Sequence, residues 1–170
     1  MTVHLKMTRD LLGRVHDDLA RPHEFALERV GFLTARPGRL QDGGLVLIAG
    51  GYLPVADEDY LDRPGYGALM GSAAIRKALQ HTYNNPVGMI HVHEHLGRGR
   101  PGFSRTDERE MRKFVPDFFN ARADVPHGAL VLSEDSARGY CWLSRVDGPL
   151  PISRITVVGS PMLRIGGRDE

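Results

Sequence analysis

Asn84-Asn85-Pro86-Val87-Gly88-Met89-Ile90-His91-Val92-His93 is the stretch on which the fold turns. Asn84-Asn85-Pro86 is a turn signal, and behind it Val87, Met89, His91 and His93 alternate with Gly88, Ile90 and Val92, which reads as a buried strand ending in histidines. A strand repeats its side-chain direction every second residue, so His91 and His93 point to one face, about 6 to 7 Å apart at Cα. His95 continues the parity and could replace a ligand, but it begins the following loop, where an exposed or outer position is expected.

Outward from this strand, a Gly/Arg/Pro-rich loop (Gly97 to Gly102) leads to Ser104-Arg105-Thr106-Asp107, the pattern of a capping box. Met111, Phe114, Val115 and Phe118 follow at helical spacing, and Pro116 ends or kinks the helix near Val115. Asp107 then sits on the first helical turn, facing the end of the strand. Two imidazoles and a carboxylate are the ligand set of an open zinc site, in which three protein ligands leave the fourth position for water. Cys141 is the single cysteine, so a thiolate cage is excluded. Taken alone, Ser-x-x-Asp is more often a plain helix start, and two histidines on a strand more often pack or face solvent. Together, with a glutamate upstream, they favour a metal. That glutamate is Glu28, in Glu28-Arg29-Val30-Gly31, a carboxylate suited to act as base without being a ligand. Glu24 competes with it but has no glycine three residues later.

Glu28 with Gly31, His91 with His93, and Ser104 with Asp107 resemble, in this order, the pattern of the JAB/MPN (JAMM) metalloprotease family. The resemblance spans nearly the whole chain, since Gly128-Ala129-Leu130-Val131-Leu132-Ser133 is similar to the strand that follows the metal-site helix there. One departure is the spacing: His93 and Ser104 enclose ten residues, where the family has about seven. A lengthened surface loop accommodates the difference at small entropic cost. The resemblance implies a single domain over residues 1–170, a central mixed β-sheet flanked by helices. It implies Zn2+ held by His91, His93 and Asp107, with Glu28 as base and Ser104 as donor to the oxyanion. It further implies a zinc-dependent isopeptidase or peptidase that cleaves after the C-terminal glycine of a ubiquitin-like protein, by deconjugation or precursor processing. The compact chain is most similar to the prokaryotic branch and its bacterial deconjugating enzymes. Its expected partners are a ubiquitin-like protein or its conjugates, and conjugation enzymes encoded beside it. Processing of a sulfur-carrier precursor and a non-catalytic scaffold of the same fold are the alternatives.

Composition agrees with one mixed α/β domain. A chain of 170 residues can bury a sizeable core without disulfides. The formal charge of +1 gives no reason to expect nucleic acid or an anionic membrane. One cysteine, no apolar run of spanning length and no signal-peptide core lead to the expectation of a cytoplasmic protein. The remaining chain reads as a strand over Val3 to Met7, a helix capped by Thr8, and strands over Arg29 to Ala35 and Leu45 to Ile48. Their connection is expected to turn through Pro37-Gly38 and Asp42-Gly43-Gly44. An irregular segment is expected from Gly50 to Gly71, then a helix from Ser72 to His81 capped by Ser72, and successive strands from Gly128 to Ile165. Gly65-Tyr66-Gly67 mimics a nucleotide loop with the wrong spacing. Leu163-Arg164-Ile165-Gly166-Gly167 resembles a ubiquitin-type tail, although a frayed terminus is the plainer reading.

Overall fold

The computed structural model describes residues 1–22, 26–62 and 67–167. Glu24, Gly65 and Tyr66, and the three residues after Gly167, lie outside them. Among the described residues, nine strands form one mixed sheet in the order β7-β6-β5-β4-β2-β3-β1-β8-β9. They are β1 (Val3–Thr8), β2 (Val30–Arg39), β3 (Leu45–Pro54), β4 (Gly88–Glu94), β5 (His127–Leu132), β6 (Ala137–Trp142), β7 (Leu150–Pro151), β8 (Arg154–Val158) and β9 (Leu163–Gly167). Three helices accompany them, α1 (Arg9–Leu19), α2 (Ser72–Asn84) and α3 (Arg105–Phe114), the last continued by a 3-10 turn over Val115–Asn120. The architecture is the mixed α/β sheet with helices that the sequence leads one to expect. Among the described residues, no helix is long and apolar enough to cross a membrane.

One face of the sheet curls around α1. Thr8 caps that helix, its hydroxyl accepting from the Leu11 N–H at 3.2 Å, and Leu11, Val15 and Leu19 sink into a core with Leu5, Leu33, Ile90 and Leu130. The curl brings β9 back toward β6. The Ser136 hydroxyl donates to the Ile165 carbonyl at 2.9 Å, and a Cβ on Gly166 would stand 2.2 Å from the Ala137 carbonyl oxygen. Glycine is therefore required at that approach. The tail-like Leu163–Gly167 is thus an ordered strand paired with β8.

The other face is covered by α2 and α3 over β2, β4 and β5, where Phe32, Met89, Ala74, Ala78 and Phe118 form a second core. His127, buried at the start of β5, supports it. Its Nδ1 accepts from the Met89 N–H at 3.1 Å and its Nε2–H donates to the Arg122 carbonyl at 2.9 Å, so the neutral ring is fully used.

Several boundaries differ from the sequence reading. Pro37 and Gly38 lie inside β2, where they pair with Leu47 and Val46. Beyond Ala35, β2 no longer has β4 beside it and is an edge on that side, a position that tolerates a residue without an N–H. β3 runs on through the expected irregular segment to Pro54, and Gly50 is the extra residue of a bulge between the Ala49 and Gly51 pairs. The N-cap of α2 is Gly71, not Ser72, and its side-chain-free cap leaves Ser72 inside the first turn.

Burial lowers the His127 pKa to about 4, and the hydrogen bond to Arg122 opposes this only in part. The unfolded chain, with a histidine pKa near 6.5, therefore takes up the proton first. The stability that neutral His127 contributes, on the order of 3 kcal/mol, is whole above pH about 6.5 and drains as pH falls toward 4. Urea midpoints measured across that window are expected to fall with pH, and less steeply in His127→Gln; an equal slope in the variant contradicts this.

Candidate metal centre

The site is built by one strand pairing and one crossover. β2 and β4 run antiparallel with Val30 opposite His93 and Phe32 opposite His91. The same-face residues one repeat further along are Glu28 on the first chain and His95 on the second, and the His95 Nε2 lies 3.9 Å from a Glu28 carboxylate oxygen. β4 then crosses through α3 to β5, which is parallel to it. This sets the N-terminus of α3 over the C-terminal end of β4, where open α/β sheets place their sites.

Asp107 is the third residue of α3 and completes the expected capping box. The Asp107 N–H donates to the Ser104 hydroxyl at 3.1 Å, and the Ser104 N–H donates to the Asp107 carboxylate at 2.7 Å. That carboxylate also lies 3.6 Å from the His93 Nε2 and 3.7 Å from the His95 Nε2. Burial pushes its pKa up, but the His93 and Ser104 hydrogen bonds and the His93 charge outweigh this and hold it well below the usual carboxylate range. It is an anion at any physiological pH.

The Nε2 atoms of His93 and His95 face each other at 3.2 Å, while the buried Nδ1 of His93 has no hydrogen-bond partner among the described residues. His91 stands one repeat back along β4 on the same face, its ring centroid 5.7 Å from that of His93 and 5.0 Å from that of Phe114. Burial, aided by His93, lowers its pKa to about 3, so its ring is neutral with a lone pair to offer. Phe103 closes the outer side, 6.0 Å from His93. Glu28, His91, His93 and Asp107 all line one cavity of about 170 Å³, whose remaining wall includes Met70, Ile75 and Phe114. Ser104 caps the helix and does not line it.

Three imidazoles and two carboxylates without sulfur suit a divalent metal such as zinc. Glu28, His93 and His95 offer ligand atoms all within 4.8 Å of one another and could hold a metal ion. His95, expected at an outer or exposed position, is instead turned into the site, its backbone N–H held by the Leu132 carbonyl at 2.9 Å. The parity it shares with His91 and His93 was the available signal. Gly67 had none: its carbonyl accepts from the Glu28 N–H at 2.9 Å, and a Cβ there would stand 3.1 Å from the Glu28 carboxylate. The lengthened loop after His95 is tied down, with Asp135 accepting from the Gly99 N–H at 2.7 Å and from Arg98 at 3.1 Å. Gly97 and Gly99 have φ of +102° and +90°, which favours glycine.

Gly31 belongs to the opposite face. A Cβ there would stand 2.3 Å from the Tyr52 hydroxyl and 2.5 Å from its ring, and Tyr52 is fixed by donating to Asp18 at 2.7 Å. The glycine thus lets the Tyr52 ring lie across β2 on the α1 side of the sheet.

No protein-family model matches the chain, and no curated protein matches it either. Among solved structures it is similar to the Trichoplax adhaerens STIL N-terminal domain, with a TM-score of 0.39 and 10% identity over 82% of this chain and 44% of that one. The chain thus spans less than half of that domain's length, and the likeness is too slight to bear on the site.

Gly31→Ala is expected to destabilise the protein by about 1–3 kcal/mol through overpacking against Tyr52. In a Tyr52→Ala background its cost shrinks, because the clash is gone. Denaturant unfolding of the four proteins of this cycle checks it, and additive costs contradict the contact.

Proposed function

We propose that the chain is a zinc-dependent isopeptidase or peptidase that cleaves after the C-terminal glycine of a ubiquitin-like protein. The observation that supports this best is that His91, His93, Asp107 and Glu28 all line one cavity; His91 and Asp107 lie outside the closest group of ligand atoms, which is Glu28, His93 and His95. The four cavity residues are the ligand-plus-base set that the JAB/MPN resemblance implies. His91 and His93 would supply neutral imidazoles and Asp107 a carboxylate. Zinc bound there supplies a Lewis acid for the scissile carbonyl and lowers the pKa of a coordinated water toward about 7.

Glu28 takes the proton of the attacking water and returns it to the leaving amine. The Gly67 carbonyl on the Glu28 N–H and the nearness of the Glu28 carboxylate to the His95 ring support this role. Arg29, on the opposite parity, fixes the entry of β2 by donating to Asp57 at 2.6 Å and to the Pro22 carbonyl at 2.7 Å. Ser104, which caps α3 and does not line the cavity, would donate to the developing oxyanion by turning its hydroxyl out of the cap. The narrow cavity favours a substrate residue without a side chain next to the scissile bond.

The base assignment separates this reading from one in which Glu28, His93 and His95 are the ligands. The wild-type protein is expected to bind about one zinc per chain, removable by a chelator with loss of turnover. His91→Ala and His93→Ala lose the metal, and His95→Ala keeps it. Glu28→Gln retains zinc while turnover falls by about 10²- to 10⁴-fold. Elemental analysis that finds Glu28→Gln without zinc overturns the assignment.

Ser104→Ala is expected to lower the rate by about 10²- to 10³-fold and to cost about 1 kcal/mol of stability through the lost cap. A stability loss with an unchanged rate would make Ser104 a cap alone. Incubation with a lysine-linked conjugate and with a tail-extended precursor of the same modifier separates deconjugation from processing.

A further inference from the structure

The sheet has a second open surface, far along its strand order from the histidines. α2 and α3 cover β2, β4 and β5 but leave the same face of β1, β8 and β9 without a helix. In β1 the alternation is strict: Val3, Leu5 and Met7 are buried against α1, and His4 and Lys6 face outward. The registers then set Arg154 beside His4, Thr156 beside Lys6, and Arg164 beside Thr156. The β2–β3 turn at Leu40 to Asp42 forms one wall and Met162 to Arg164 the other. The open cleft between them has a volume of about 780 Å³.

Its floor is cationic. Among the described residues, no ion pair involves Lys6, Arg154 or Arg164, although surface arginines elsewhere do pair, Arg98 with Asp135 and Arg14 with Asp10 among them. Asp42 is the one carboxylate of the cleft, and it accepts from the Gly44 N–H at 2.9 Å within its own turn. A chain whose formal net charge is +1 thus brings together in one concavity three cations that have no ion pair among the described residues. Like charges held together cost energy that a polyanion recovers on binding. Burial, followed by Arg154, Lys6 and Arg164, also lowers the His4 pKa, which is the mark of their crowding.

The walls are of another character, with Leu40, Met162 and Leu163 presenting apolar groups above the cations. Guanidinium groups bind phosphoryl oxygens through paired N–H donors and stack on flat rings. We propose that this cleft binds a nucleoside di- or triphosphate, its phosphoryl groups on Lys6, Arg154 and Arg164 and its base against Leu40 and Met162. The fit is to a small ligand: the site is a bounded hollow between a turn and a terminal strand, where a nucleic-acid track would need cations extended along the surface.

Isothermal titration of the full chain with ATP, ADP and inorganic triphosphate tests this, with melting curves to show that each variant is folded. Saturable binding is expected, weakening with salt. Lys6→Gln combined with Arg154→Gln should weaken it by about tenfold or more, while Arg145→Gln at a distant surface leaves it unchanged. Met162→Ser should weaken ATP and leave inorganic triphosphate unaffected. No saturation at millimolar nucleotide, or equal loss in Arg145→Gln, overturns the proposal. So does a single-stranded oligonucleotide that binds more tightly as it lengthens. Binding of triphosphate and ATP with equal affinity and equal response to Met162→Ser overturns the nucleoside part.

Discussion

Everything in the candidate centre depends on the register between β2 and β4. With Val30 opposite His93, the first chain delivers Glu28 to the same face as His91, His93 and His95. A slip of one residue would turn Glu28 toward α1 and put Arg29 in its place. The register is held from both sides. Phe32 and Met89 are buried on the α2 side, Leu33 and Ile90 on the α1 side, so neither strand can slide without exposing a core.

The second constraint is the capping box of α3. It uses one carboxylate twice, as a cap for Ser104 and as a neighbour of His93 and His95. Helix stability and site geometry are therefore coupled. The helix N-terminus favours the ionised form of Asp107, and the buried rings of His91 and His93 meet an anion rather than an acid. Phe103, Phe114 and Phe32 pack around His91 and His93, and the low dielectric they provide strengthens charge interactions at those two buried rings.

Much of this was legible in the sequence because it is local. Alternation disclosed β4, and Ser104-x-x-Asp107 disclosed the start of α3. Pro116 marked the change to a 3-10 turn at Val115. What escaped depends on contacts distant in sequence. Pro37 and Gly38 carry turn chemistry, and only the absence of β4 beside them makes them strand residues. Gly50 reads as a loop until the bulge opposite Thr34 and Ala35 explains it. Gly67 matters to Glu28 through a hydrogen bond that no spacing reveals. His95 carried the right parity, but its inward turn follows from the Leu132 carbonyl on the neighbouring strand.

Two sets of ligands share His93, and they divide the chemistry differently. If Glu28 is left free it can move a proton; if it binds metal it cannot. Anomalous diffraction at the zinc absorption edge from crystals of the zinc-loaded protein decides between them. The account requires one peak about 2.0–2.2 Å from a ring nitrogen of His91, a ring nitrogen of His93 and a carboxylate oxygen of Asp107, with Glu28 unbonded beside it. A peak bonded to Glu28 and His95, or none in this cavity, would contradict it.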